Sequence, residues 1–182
     1  RPPDFRGWAG MVVGGPLAVG DAVAVLPGGA RTTITAIHTF DGPLERAEAG
    51  QSVTVCLADA LDVGRGDLLA PVDQAPAVRH DLSAILCWMS ERPLRPGDRL
   101  DVRLATRTVP ALVDRFEARF DLDALAEVPP PAEFPLNALG RIHLRLAEPL
   151  APDAYRDQPD TGGLVLIDPH THDTVGAALV LP

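Results

Sequence analysis

The sequence predicts an all-β chain: two antiparallel, Greek-key-type β-barrels in tandem. Three observations carry that reading. Apolar residues recur in short runs with a period of two, the spacing of strands that bury one face. The 19 Pro and 16 Gly fall between those runs, as turn residues do in an all-β domain. Leu17-Ala18-Val19-Gly20-Asp21 and Leu94-Arg95-Pro96-Gly97-Asp98 share the form Leu-x-x-Gly-Asp, and each leads into an apolar strand, an echo expected of two similar domains.

The elements follow in order. Arg6 to Val25 reads as a β-hairpin: a Gly-rich strand from Trp8 to Gly14, a turn of Pro16, Gly20 and Asp21, and a second strand from Ala22. Val12, Val13, Val23 and Val25 give it a β-branched surface. After Pro27-Gly28-Gly29, the stretch Arg31 to Phe40 alternates, with Ile34, Ala36, His38 and Phe40 expected on one face. Asp41-Gly42 turns, Glu45 to Ala49 is a polar loop, and Ser52 to Leu57 is a strand with Val53, Val55 and Leu57 together. Gly64-Arg65-Gly66-Asp67 turns into Leu68-Leu69-Ala70. Pro71 to Pro76 is polar and Pro-containing, which places a linker there and divides the chain into 1–75 and 76–182.

The second half opens with a strand from Asp81 to Met89 and a turn over Pro93 to Asp98. Leu100, Val102 and Leu104 alternate with Asp101 and Arg103. From Thr108 to Phe120, the inward face is assigned to Leu112, Phe116, Ala118 and Phe120. Pro129-Pro130-Pro131 interrupts any element. Ile142, Leu144 and Leu146 face in, with Arg141, His143 and Arg145 facing out. Gly163 to Ile167 and Thr174 to Leu181 form a hairpin around Asp168-Pro169.

The bulk numbers bound the function. The chain has 182 residues, is 46% hydrophobic and carries a net charge of −9. That balance repels a phosphate backbone and argues against nucleic-acid binding. No apolar run approaches the ~20 residues that span a bilayer. Cys56 and Cys87 sit in apolar runs and read as buried free thiols of a reducing cytoplasm, with a disulfide between them as the minor alternative. All 16 basic residues are Arg. A phosphate-binding loop of the form G-x-x-x-x-G-K-[ST] needs a lysine, so this chain carries none. The opening Arg1-Pro2-Pro3 lacks Met and reads as part of a longer protein.

Several groupings suggest chemistry, and each has a plainer explanation. His170-Thr171-His172-Asp173 has metal-ligand residue types but falls at a hairpin tip with an incomplete ligand set. Arg65-Gly66-Asp67 is read as a strand-initiating turn, and Asp59, Asp62 and Asp67 lack the spacing of a calcium loop. The Arg stripes (Arg99, Arg103, Arg107; Arg115, Arg119; Arg141, Arg145) read chiefly as solvated strand faces, with a patch for a phosphate or acidic partner as the second reading. Trp8 and Trp88 are assigned to packing.

Taken together, Arg6-Gly7-Trp8-Ala9-Gly10-Met11-Val12, Leu17 to Asp21, Ala49-Gly50-Gln51-Ser52-Val53 and Arg65-Gly66-Asp67-Leu68-Leu69 resemble the second barrel of translational GTPases of the elongation factor Tu type. The second half resembles one branch of that family, the GTPase subunits of bacterial sulfate adenylyltransferase. The matching motifs are Leu86-Cys87-Trp88-Met89-Ser90-Glu91, Thr106-Arg107-Thr108-Val109, Leu136-Asn137, Gly140-Arg141, Asp160-Thr161-Gly162-Gly163, Leu166-Ile167-Asp168 and Thr174-Val175-Gly176-Ala177. Gln158 stands where that branch usually has Asn.

The resemblance implies barrels like domains two and three of elongation factor Tu, with no catalytic, cofactor-binding or metal-binding residue of their own. GTP and Mg would belong to an N-terminal GTPase domain. The partners implied are that domain and the catalytic subunit 2, which joins ATP and sulfate into adenosine 5′-phosphosulfate; nucleic acid and membrane are not expected, and the compartment is the cytoplasm. Gly7, Gly10, Arg107, Asp160, Thr161, Gly162 and Gly163 are the candidate interdomain or partner contacts. The rival readings are a tRNA-gripping pair of translation-factor barrels, which the charge opposes, and a free-standing structural β-domain.

Overall fold

Short β-branched runs separated by Gly and Pro have no route to a helical core, and the chain is built almost wholly of strands. The computed structural model describes residues 5–182, so the Arg1-Pro2-Pro3 opening lies outside the described residues. Two compact units divide the chain, Arg1–Pro76 and Ala77–Pro182.

The first unit holds eight strands: β1 (Trp8–Met11), β2 (Leu17–Ala18), β3 (Ala22–Leu26), β4 (Ala30–Thr39), β5 (Gly42–Leu44), β6 (Arg46–Ala47), β7 (Ser52–Leu57) and β8 (Leu68–Pro71). The main sheet runs β1-β7-β4-β3-β8, with β5 paired to β4 and a separate β2–β6 ribbon. Val12, Leu17, Val23, Ile34, Ile37, Ala47, Val53 and Val55 form its core. The expected Trp8-to-Val25 hairpin does not form. Instead β1 pairs with β7, Trp8 opposite Val55, and β3 pairs with β4 and β8. The expected polar loop after Glu45 contains β6, which pairs with β2.

The second unit contains β9 (Arg79–Trp88), β10 (Arg99–Leu104), β11 (Arg107–Asp121), β12 (Ala126–Val128), β13 (Leu139–Leu150), the one-turn helix α1 (Pro159–Gly162), β14 (Gly163–Ile167) and β15 (Thr174–Val180). Its ladder runs β10-β14-β15-β9-β13-β11 and closes on itself because β10 also pairs with β11. Every strand pair is antiparallel. Leu82, Leu86, Leu94, Val102, Phe134, Ile142, Leu144, Leu150 and Leu166 fill the interior at 2% exposure or less. At roughly 25 cal/mol per Å² of apolar area removed from water, such burial is the main stabilising term.

Bulges decide which face a residue takes, because one extra residue inverts a period-two pattern. A register shift between Ile34 and Ala36 puts Ile37 in the core at 1% exposure. His38 then points outward, and Phe40, expected inside, is 103% exposed. Shifts between Val113 and Arg115 and between Phe116 and Ala118 place Val109, Ala111 and Val113 inside, with Leu112 facing out. Cys56 and Cys87 are free and half-buried, each in the outward register of its strand rather than in the core.

The Leu-x-x-Gly-Asp echo is a true structural repeat, with four copies among the described residues that start on a buried side chain; the turn at Gly64–Asp67 shares its closing bond but starts on half-buried Val63. The four begin at Leu17, Ala47, Leu94 and Phe134, each buried. The fourth residue takes positive φ in every copy: Gly20 94°, Gly50 87°, Gly97 92° and Asn137 64°. The fifth-residue amide donates to the second-residue carbonyl: Asp21 to Ala18, Gln51 to Glu48, Asp98 to Arg95 and Ala138 to Pro135. The fourth and fifth residues also exchange two bonds with a single distant residue, namely Ile34, Val12, Val113 and Trp88 respectively. Within each unit the two turns are bridged at their first residues, Leu17 to Ala47 and Leu94 to Phe134. Each unit therefore contains two copies of one turn facing each other.

Candidate functional site

The helix α1 is one turn long because Pro159 fixes φ at its start and Gly162-Gly163 end it. Its residues are held by the loop before it. Thr161 is buried and its Oγ1 donates to the Asp153 carboxylate. Asp153 N–H donates back to the Thr161 carbonyl at 3.2 Å. Gly162 lies against the Tyr155 backbone: a Cβ there would stand 2.4 Å from Tyr155 Cα. Tyr155 N–H in turn donates to Val180 on β15 at 3.0 Å. Thr161 and Gly162 are thus used inside the unit, while Asp160 is exposed and Gly163 half-buried. Asp153 and Tyr155 organise the loop, and no local pattern in the sequence marks them.

The remaining candidates are dispersed. Arg107 opens β11, is half-buried and bonds Glu148 Oε2 on β13 at 3.2 Å. Gly7 faces Thr54, whose Cγ2 would be 2.5 Å from an added Cβ. Gly10, by contrast, has nothing within 4 Å of that position. Gly7 and Gly10 belong to the first unit, and Arg107 and Asp160 to Gly163 to the second.

Arg107, Arg115, Arg119, Arg141 and Arg145 of the Arg stripes pair with acids on their own or a neighbouring strand, while Arg103 donates to Thr108 Oγ1 at 3.1 Å. Asp114 receives Arg145 at 2.8 Å and Arg115 at 2.9 Å, and His143 Nδ1 lies 3.3 Å from it without a hydrogen bond. Glu117 receives Arg115 at 3.0 Å and Arg141 at 3.4 Å, and Arg141 also reaches Glu127 at 2.9 Å. Exposed pairs of this kind contribute about 0–1 kcal/mol each, so they dress the wall for water rather than hold the fold.

A small pocket beside Trp88 is lined by Arg92, Asp98, Arg99 and Asp168. Trp88 Nε1 donates to the Arg92 carbonyl at 2.8 Å, and Arg92 bridges Asp98 at 3.0 Å and Asp168 at 3.9 Å. Asp168 organises the β14–β15 tip: its Oδ1 accepts from the amides of His170 at 2.8 Å and Thr171 at 3.2 Å. Those donors, the His170 amide first, hold its carboxyl below the ordinary aspartate range. The His170–Asp173 stretch is therefore a capped turn. Among the described residues, no three His, Cys, Asp or Glu side chains converge as metal ligands.

This arrangement, with a closed ladder in the second unit, capped turns and paired surface charges, is that of tandem antiparallel β-barrels of the elongation-factor type. The model of the GTP-eEF1A C-terminal domain-like family matches residues 81–181, and the chain belongs to that family. Over 178 residues it is 43% identical to sulfate adenylyltransferase subunit 1 of Aeromonas hydrophila, covering 98% of this chain and 37% of that protein. The same-named protein of Cronobacter sakazakii is 41% identical, with 97% and 37% covered. A crystal structure of sup35 complexed with GMPPNP superposes with a TM-score of 0.86 at 16% identity, over 95% of this chain and 42% of that one. The chain spans 37% of the length of the curated relatives it matches.

Proposed function

We propose that this chain supplies the two barrel domains, 1–75 and 76–182, of the GTPase subunit of a sulfate adenylyltransferase, acting in the cytoplasm. The identity of 41–43% over 97–98% of the chain to proteins of that name carries the reading. GTP and Mg are bound by a separate N-terminal domain, and a catalytic subunit joins ATP to sulfate. The barrels couple the nucleotide state of one to the activity of the other. Asp160, Gly163, Arg107 and Gly10 offer accessible or half-buried surface for such contacts, while Gly7, Thr161 and Gly162 shape the backbone beneath.

The test is to reconstitute the full-length protein with its catalytic subunit and follow pyrophosphate release from ATP and sulfate. GTP should stimulate release, and a non-hydrolysable analogue should not sustain it. A rate indifferent to GTP would sink the coupling role. The tRNA-binding alternative is opposed by the −9 charge, and the relatives at 41–43% identity carry the sulfate-activating name.

A further inference from the structure

The two units dress their outer sheet faces differently. On the second, β11 and β13 present Asp114, Arg115, Glu117, Arg141 and Arg145 in mutual ion pairs. On the first, the inward row Trp8-Val55-Ile37-Leu44 fixes which residues lie on the other side of β1-β7-β4-β5. The outward row is Ala9-Thr54-His38-Pro43, flanked by Met11-Ser52 and by Cys56-Ala36. None of these carries a fixed charge, in a chain that is 23% charged.

Met11 is 60% exposed on this face, and Phe5, 40% exposed, lays its ring edge-on against His38 at 5.4 Å. Among the described residues the face ends at β1, which pairs with β7 alone, and β1 itself carries no Pro, charge or register shift to protect that edge. At one end, the β4–β5 hairpin holds Phe40 at 103% exposure on a tip tied by Thr39 Oγ1 donating to the Gly42 carbonyl at 3.1 Å. A large aromatic held clear of its own fold by a tied turn has its whole apolar surface to bury in a partner, the property of an interface anchor. Asp41 adjoins it at the tip and Glu45 follows the end of β5, both exposed and neither in an ion pair among the described residues.

We propose that this uncharged face, with Phe40 as its anchor, docks a protein partner that offers an apolar pocket rimmed by Lys or Arg. Asp41 beside the anchor and Glu45 just past the far end of β5 select the cationic rim, since neither is in an ion pair with a base among the described residues. The proposal rests on the assembly role given above, in which the catalytic subunit is the partner.

The experiment uses the full-length protein and that subunit. Dissociation constants are measured by titration calorimetry at low and high salt for Phe40→Ser, for Asp41→Arg with Glu45→Arg, and for Leu125→Ser as an exposed control at the β11–β12 tip. Phe40 is fully exposed, so its loss leaves folding intact. Phe40→Ser should weaken binding about tenfold or more. The charge reversal should weaken it more at low salt than at high, and the control should match wild type. Equal affinities for all variants, with the wild-type complex forming normally, overturn the proposal alone. Failure of the wild-type proteins to associate overturns the assembly role and this proposal with it. If Phe40→Ser leaves affinity unchanged but lowers the melting temperature of the full-length protein by itself, the face is covered from within its own chain, and the partner assignment is wrong.

Discussion

Asp98 Oδ2 accepts a hydrogen bond from the backbone N–H of Arg95 at 2.9 Å, and Asp21 Oδ2 takes the same bond from Ala18 at 2.7 Å. In the second copy of the turn, Gln51 Oε1 does this for Glu48, also at 2.7 Å. In the fourth, the second residue is Pro135, which has no N–H to satisfy, and the fifth is Ala138, which has no acceptor to offer. The side chain at position five is thus set by whether position two has a donor. Asp98→Ala should destabilise the second unit by about 1 kcal/mol, because the Arg95 amide loses its partner. Ala138→Asp alone should gain nothing, whereas Pro135→Ser with Ala138→Asp should recover the bond. Urea denaturation of the three variants checks this, and a stabilising Ala138→Asp single variant would contradict it.

The fourth turn position imposes a steeper demand. Gly97 has φ 92°, where a β-branched residue is strained, so Gly97→Val should cost on the order of 1–3 kcal/mol. At Asn137, φ 64°, Asn137→Gly should be tolerated and Asn137→Val should not. Melting temperatures report the order directly; Val accepted equally at both positions would rule out the backbone explanation.

Two glycines of the candidate site should respond in opposite ways. Gly162→Ala places a Cβ 2.4 Å from Tyr155 Cα, so loop 153–163 must shift, at a cost of about 1–3 kcal/mol. Gly10→Ala meets nothing within 4 Å and should leave stability unchanged or slightly raised. Thermal unfolding of the chain distinguishes them. A stable Gly10→Ala protein with impaired GTP-coupled turnover would locate a contact at β1.

Acid should act on the β14–β15 tip late. The folded-state pKa of Asp168 lies below 3.8 because the His170 and Thr171 amides bond its ionised form. A depressed carboxyl contributes stability that is present above the unfolded value and is lost as pH falls through the folded value. The tip should therefore stay ordered through the ordinary aspartate range and loosen only below it. Asp121, whose carboxylate accepts from the Ala124 and Asp123 amides, should behave alike at the β11–β12 tip. Carboxyl chemical shifts followed against pH test both, and titration at the ordinary aspartate position would remove the effect. Asp168→Asn should abolish the late step.

Much of the fold was legible where one strand face is buried without interruption. Ile142, Leu144 and Leu146 on β13 and Leu100, Val102 and Leu104 on β10 point inward as their alternation requires. What failed was non-local. Nothing near Trp8 indicates that its partner is Val55 rather than the adjacent Ala22 stretch. A bulge leaves no composition mark either, so Phe40 and Leu112 were assigned inward by a pattern the backbone breaks. The turn at Leu94 was visible through Gly97 and Asp98, but those at Ala47 and Phe134 were hidden because Gln51 or Pro135 meets the same requirement differently. Within the candidate site, Asp160 to Gly163 were found as a motif, yet their anchors Asp153 and Tyr155 carry no local signature.

The closed ladder of the second unit bears on how the chain fails as well as how it works. A ring of strands leaves no row of free N–H and C=O groups apart from short β12, so it gives incoming chains almost nothing to template on. The first unit keeps open ladder ends at β1 and β8. Aggregates formed under mild stress should therefore grow from the first unit, and peptides protected from protease in such aggregates should map to β1 and β7 rather than to β13.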